Sequence, residues 1–150
     1  MPDEALSPPM LPSLRRILVG YDASESSARA LNLALGLARP VGAELWVVHA
    51  SSAPRIVAEP RTDEEAGQEA LAVGETLRQA EFHARELGLQ LKVRAEEGAA
   101  AAVILAVAAE VGADLIVLGT RGLRGAPRLV LGSVSAAVVS DSIRPVLVVP

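Results

Sequence analysis

Asp114-Leu-Ile-Val-Leu-Gly-Thr-Arg-Gly-Leu-Arg-Gly-Ala-Pro-Arg-Leu-Val-Leu-Gly-Ser-Val-Ser135 reads as a strand, a glycine-marked loop and a helix start in succession. The apolar run Leu115 to Leu118 stops at Gly119, and Gly122 follows after two residues. Arg121, Arg124 and Arg128 lie in or beside the loop, and Gly132-Ser133 opens a renewed apolar pattern. Glycine lets a backbone take positive φ and lets a ligand approach bare peptide groups. A helix start leaves its first N–H groups unpaired and carries partial positive charge. Together they make a seat for an anion, phosphate above all. Ser133 can cap the helix or donate its hydroxyl to a phosphate oxygen, and Arg121 and Arg124 add charge. Taken singly, each glycine can simply shape a turn; it is the whole spacing that points to phosphate.

The same strand-to-helix alternation runs along the chain in both directions. Upstream, Arg16–Tyr21 is apolar on both faces, as a central strand of a parallel sheet must be. It runs into Gly20-Tyr21-Asp22 and then a helix to about Ala38, which Asp22 or Ser24 can cap and which Pro40 and Gly42 end. A second strand spans Glu44–Ala50 and a long helix runs from about Asp63 to Leu87, stopped by Gly88. Leu89–Arg94 alternates apolar and polar residues, which places that strand at a sheet edge. A helix over about Ala99–Val111, the strand Asp114–Leu118, a helix from Ser133 to about Ser140 and the strand Val146–Val149 complete the series. The fold class is therefore α/β: a single doubly wound five-stranded parallel sheet, order 3-2-1-4-5, with helices on both faces. Met1–Ser13, with Pro2, Pro8, Pro9 and Pro12, is expected to be a flexible tail outside the domain 14–150.

Composition closes off several functions. The 150-residue chain is 51% hydrophobic, only 2% aromatic and carries a net charge of −4, which suits one α/β domain with small side chains at helix–sheet contacts. No basic block with interleaved aromatics exists to read nucleic acid. Cysteine is absent, which removes disulfides, thiolate nucleophiles and cysteine metal sites. No apolar stretch is long enough to span a bilayer, and no secretory signal pattern opens the chain, so the expected location is the cytoplasm.

In such sheets ligands sit beyond the carboxyl ends of the strands, where strand order reverses. The order 3-2-1-4-5 puts that reversal between the first and fourth strands. Gly20-Tyr21-Asp22 and Gly119-Thr120-Arg121-Gly122 then meet. The last strand is wholly apolar, and as an edge it invites antiparallel pairing with a second copy.

With these residues in view, the chain over Arg15–Pro150 resembles the universal stress protein family. Gly119, Gly122, Gly132 and Ser133 match the spacing of its ATP-binding branch: glycine, two residues, glycine, nine residues, glycine and then serine or threonine. Ile17-Leu18-Val19-Gly20-Tyr21-Asp22 and Pro145-Val146-Leu147-Val148-Val149 are also similar to that family. The resemblance implies ATP, with Mg²⁺ bound through the phosphates, and a homodimer through the last strand. It implies that Asp22 meets adenine or ribose, that Gly20 lets the nucleotide approach the backbone, and that Ala50 offers main-chain contacts to the adenine edge. Leu118 would pack on the adenosine. Gly119, Arg121 and Gly122 would surround ribose and phosphates, and Gly132, Ser133, Val134 and Ser135 would hold the phosphates. One departure is visible: many members carry Gly-x-Pro where this chain has Gly98-Ala99-Ala100.

Three functional classes follow. The first is a dimeric, nucleotide-dependent regulatory module in a stress response. The second is a slow ATP hydrolase or self-phosphorylating enzyme with Ser133 or Ser135 as acceptor. The third is an interaction protein that binds no nucleotide, against which the intact glycine spacing argues. No Gly-x4-Gly-Lys-Ser/Thr loop is present, and the single lysine, Lys92, lies elsewhere, so strong ATPase machinery is not expected. His49 is expected to be a strand-end residue rather than a catalyst. His83 and Glu86 share a helical face, but two ligands do not make a metal site.

Overall fold

The structure, a computed structural model, describes residues 13–51, 63–120 and 131–150. Five strands and four helices alternate: β1 Arg16–Gly20, α1 Glu25–Val41, β2 Glu44–Ser51, α2 Asp63–Glu86, β3 Leu91–Glu97, α3 Ala100–Val111, β4 Leu115–Gly119, α4 Ser133–Asp141 and β5 Val146–Val149. The strands form one all-parallel sheet in the order β3-β2-β1-β4-β5, the order expected from the sequence. Residues 1–12 of the expected tail lie outside the described residues, as do residues 52–62.

Strand β1 is the axis of the molecule because both its faces are covered. Ile17, Leu18 and Val19 are wholly buried. Ile17 and Val19 enter a core shared with α1 and α2, while Leu18 joins one shared with α3 and α4. The side of α1 that meets the sheet is built on Ala30, Ala34 and Ala38, and such small side chains let a helix approach strands closely. On its outer side, His83 Nε2 of α2 donates to Asn32 Oδ1 of α1 at 2.8 Å.

Most boundaries shift by a residue from the sequence reading, and three of the differences have a clear physical cause. Helix α1 runs through Pro40 to Val41 before the left-handed cap Gly42. Proline's missing N–H orphans only the carbonyl four residues back, on the exposed Gly36, which water can reach. Strand β3 starts at Leu91 rather than Leu89, because Leu89 N–H closes the end of α2 on the Ala84 carbonyl at 2.9 Å, past the left-handed Gly88. β3 then continues through the charged Arg94-Ala95-Glu96-Glu97, as an edge strand with a wet face can. Asp114 lies outside β4. One of its carboxylate oxygens accepts from the backbone N–H groups of Arg15 and Arg16 at 2.8 and 2.9 Å, pinning the start of β1 to that of β4.

Those two bonds, Arg16's first and then Arg15's, hold the Asp114 carboxyl below the ordinary carboxylate range. A lowered folded-state value means that the unfolded chain binds the proton first as pH falls. The stabilisation is therefore complete above the unfolded value, about 4, and is lost as pH falls through the folded one. Asp114→Ala is expected to cost about 1–2 kcal/mol at neutral pH, as expected for bonds to a charged acceptor near water. Denaturant titrations should show its stability falling less steeply below about pH 4 than that of the parent chain.

The two edges of the sheet differ in chemistry. β3 carries the exposed Lys92 and the half-buried Arg94 and Glu96, ion-paired as Lys92–Glu44, Arg94–Glu96 and Arg94–Glu110. Charges of this kind guard an edge against further strands. β5 is Val-Leu-Val-Val, with no charge at all.

Candidate functional site

β1 and β4 are neighbours whose following chains diverge, β1 leading to α1 on one face and β4 to α4 on the other. Beyond their carboxyl ends lies a cavity of about 520 Å³. Its walls include Gly20, Asp22, Ala50, Leu118 and Gly119, together with Gly132, Ser133, Val134 and Ser135. These are nine of the residues singled out in the sequence, drawn from the ends of β1, β2 and β4 and the start of α4. Arg121 and Gly122, the other two, lie outside the described residues. The walls also contain Tyr21 and Thr120 of the two stretches expected to meet, together with Ser27, Val48, Leu131 and, from α3, Ala100 and Ile104, which carry no sequence signature.

Helix α4 supplies the polar end. Its N-cap is Gly132, with no side-chain capping bond, and the first intrahelical bond runs from Ala136 N–H to the Gly132 carbonyl at 2.9 Å. The amides of Ser133, Val134 and Ser135 therefore precede the hydrogen-bonded ladder and have no intrahelical acceptor. Ser133 is thus the first helical residue and not the cap. Ser135 also departs from its expected role, because its buried hydroxyl donates to the Thr120 and Gly132 carbonyls at 3.2 and 3.1 Å. That proton ties the end of β4 to the start of α4 and is not offered to a ligand. What the turn presents is bare amides and the exposed Ser133 hydroxyl.

The β1 side is organised by Asp22. Ser24 is the N-cap of α1, accepting from Ser27 N–H at 3.2 Å. Asp22 Oδ1 accepts from Ser24 N–H at 2.9 Å, so the carboxylate props the cap rather than serving as it. Its other oxygen is engaged by no described residue. Between them Ala23 takes φ 65°, the one left-handed non-glycine residue among those described. That conformation crowds Cβ and costs about 1–2 kcal/mol. Ala23→Gly should raise unfolding stability by about 0.5–1 kcal/mol, net of glycine's greater unfolded-state entropy, as read by denaturant titration.

The base of the cavity is apolar. Atoms of Leu118 and Ile104 lie 2.6 and 3.1 Å from where a Cβ on Gly20 would stand, so Gly20 is small to admit these side chains rather than a ligand. Gly119 is constrained from the other face of the sheet. A Cβ there would lie 2.6 Å from the backbone carbon of Ser26 and 2.7 Å from Ser27 N. Both glycines line the cavity, yet protein packing fixes each of them.

Strand β2 outlasts β1. Gly20 pairs with Val48, and Tyr21 N–H reaches the Val48 carbonyl at 3.0 Å. Backbone groups alternate sides along a strand, and the Ser51 carbonyl accepts from Gly98 on the β3 side. Ala50 is therefore the next residue after Val48 whose N–H and C=O point toward β1, and β1 has already ended. One donor and one acceptor stand side by side at the cavity wall. His49 is not in that wall. Its Nδ1 donates to the Tyr21 carbonyl at 2.9 Å, the strand-end tie expected of it; a carbonyl only accepts, so the proton sits on Nδ1. Burial, and then the neighbouring Asp22 carboxylate, raise the Tyr21 phenol above its ordinary value, so it stays a neutral hydroxyl beside that carboxylate.

A donor–acceptor pair on one wall, an apolar base and free amides at the far end match the three parts of a nucleotide: base edge, ring face and phosphate. The model of the Universal stress protein family matches residues 13–150. The chain is 38% identical over 147 residues to Universal stress protein YxiE of Bacillus subtilis, covering 89% of this chain and 97% of that one. A solved structure of a universal stress protein in complex with cAMP superposes with TM-score 0.71 at 30% identity, over 91% of this chain and 97% of that chain. The universal stress protein from Archaeoglobus fulgidus in complex with dAMP gives TM-score 0.70 at 26% identity, over 91% and 98%.

Proposed function

The chain belongs to the universal stress protein family, and from that premise we propose that it is an adenine-nucleotide-binding regulatory module of the stress response. Its seat takes ATP, the Ala50 N–H and C=O meet the adenine edge, and the α4 amides meet the phosphates. Asp22 reaches the ribose through its second oxygen. Mg²⁺ would ride on the phosphates, since no three His, Cys, Asp or Glu side chains come together among the described residues. The β5 edge pairs with that of a second copy. Among the described residues no helix is long and apolar enough to cross a membrane, in keeping with a cytoplasmic role.

The observation that carries this reading is the convergence of four separated stretches on one cavity whose polar end is an uncapped helix start. An anion at such a terminus gains from both the free amides and the helix dipole. The family's complexes with cAMP and dAMP support an adenine nucleotide as the ligand class. The commitment of the Ser135 proton to two carbonyls favours binding over self-phosphorylation at that hydroxyl.

Equilibrium dialysis of the purified chain against ATP, ADP, AMP and cAMP with Mg²⁺ tests the proposal. Saturable binding of an adenine nucleotide at or below millimolar concentration is expected, with GTP weaker because its base edge reverses donor and acceptor. Absence of binding by every adenine nucleotide at millimolar levels would overturn it. Phosphate release well above the spontaneous rate, abolished by Ser133→Ala, would turn the reading toward an enzyme.

A further inference from the structure

The β1–β2 ladder is finished by a side chain instead of by backbone. In a parallel pair a residue donates to one carbonyl of the neighbouring strand and accepts from the N–H two residues further along it. Tyr21 makes the first of these bonds, to the Val48 carbonyl at 3.0 Å. The second would run from Ala50 N–H to the Tyr21 carbonyl, and among the described residues that bond is not made. The carbonyl accepts from His49 Nδ1 at 2.9 Å. One imidazole stands in for the rung that Ala50 would supply.

The two donors come from opposite faces of the sheet. Side chains alternate along a strand: Val47 enters the core under α1 and α2, and Val48 the core under α3. His49 therefore falls on the α1 side and is not in the cavity walls, whereas Ala50 is. The imidazole reaches the carbonyl from behind and takes no room from a ligand. The peptide group that carries this carbonyl also carries Asp22 N–H, which approaches Ser27 Oγ at 3.4 Å. It is thus held at both ends, and Asp22 leaves it to prop the α1 cap.

A half-buried carbonyl without a donor is costly. Removing the imidazole would leave it one backbone N–H within the reach of the ladder, that of Ala50. We propose that His49 is a positioning residue for the base edge: by satisfying the Tyr21 carbonyl it keeps Ala50 N–H from closing a further rung and leaves that donor open to the cavity. That a ligand uses the donor rests on the nucleotide reading above; that His49 keeps it open does not.

Amide hydrogen exchange, read by NMR on the full isotope-labelled chain without ligand, tests the mechanism. In the parent chain Ala50 N–H should exchange about tenfold or more faster than the N–H groups of His49 and Ser51, which pair with β3. In His49→Leu it should slow to their rate. A merely structural His49 would, on replacement, speed exchange at its neighbours as well; slowing at Ala50 alone is the signature of the closed rung. His49→Asn keeps a donor, because its Nδ2 stands as many bonds from the backbone as the histidine Nδ1, and should restore fast exchange. Mg·ATP affinity, measured by equilibrium dialysis, should fall about tenfold in His49→Leu and return in His49→Asn. A parent Ala50 amide as protected as its neighbours overturns the proposal, and that result needs no variant to fold. An Ala50 amide that stays fast in folded His49→Leu overturns it equally. If the rung closes in His49→Leu and ATP binds undiminished, the role at the base edge is overturned. If no adenine nucleotide binds even the parent chain, the nucleotide reading fails and that role with it, while exchange still decides whether His49 holds the donor open.

Discussion

Gly119→Ala lowers the stability of the fold by about 2–3 kcal/mol, a large effect for one added methyl group. Overpacking a well-filled interior typically costs about 1–3 kcal/mol, and this site is at the upper end because the obstacle is backbone. The new Cβ would lie 2.6 Å from the carbonyl carbon of Ser26 and 2.7 Å from Ser27 N. No rotamer change clears them; the first turn of α1 must move away from β4. That turn contains the Ser24 cap and the Ser27 hydroxyl, which approaches Asp22 N–H at 3.4 Å, so its displacement also disturbs the β1 side of the cavity. Urea titration reads the stability, and nucleotide affinity should fall in parallel. Gly20→Ala is the control. Its nearest obstacle is the end of the flexible Leu118 side chain, and the smaller loss expected there separates backbone obstruction from crowding in general. A loss at Gly119 of less than about 0.5 kcal/mol, the range of ordinary surface substitutions, would mean that the helix yields freely.

The second large effect falls on affinity. Ala50→Pro deletes one N–H group from the cavity wall and should weaken adenine-nucleotide binding about ten- to hundredfold, the worth of a buried donor left out of a hydrogen bond. Proline within a strand is usually ruinous because it removes a ladder bond. Here the deleted group points toward the side where β1 has ended, while the flanking His49 and Ser51 keep the pairing with Ala95 and Glu97 of β3. Stability should therefore fall much less than affinity. Ala50→Gly keeps the N–H and should bind nearly as the parent does. If the proline variant binds ATP undiminished while remaining folded, the base edge does not rest on Ala50.

Much of this architecture was legible because particular residues leave few choices. Ile17-Leu18-Val19 can only lie between two covered faces, and the alternation of Leu91, Lys92, Val93 and Arg94 can only sit at an edge, so strand order follows. The cavity was legible wherever a residue type carries a backbone consequence: the Gly132-Ser133 helix start, and Asp22 after a central strand. What escaped depends on distance through space. Ala100 and Ile104 look like any apolar residues of α3. The reason for Gly119 lies in Ser26 and Ser27, far away in the chain, and the spacing that drew attention to it says nothing of a helix pressing from the opposite face. Serine's preference for capping positions suggested Ser133 as a cap, whereas the chain leaves that position to Gly132 and with it a set of unspent amides. Pro40 looked like a stop signal because sequence does not reveal that the carbonyl it orphans faces water.

The contrast between the two borders of the sheet sets how far edge-to-edge growth can go. A protein with two adhesive borders could add copies without end and become a ribbon. This chain has one such border, Val146–Val149, and its other border carries Lys92, Arg94 and Glu96 locked into ion pairs. Once two apolar borders have met, only charged ones remain outside. If β5 edges pair as proposed, association along the sheet stops at a pair, and the difference between the third and fifth strands guards against fibre formation.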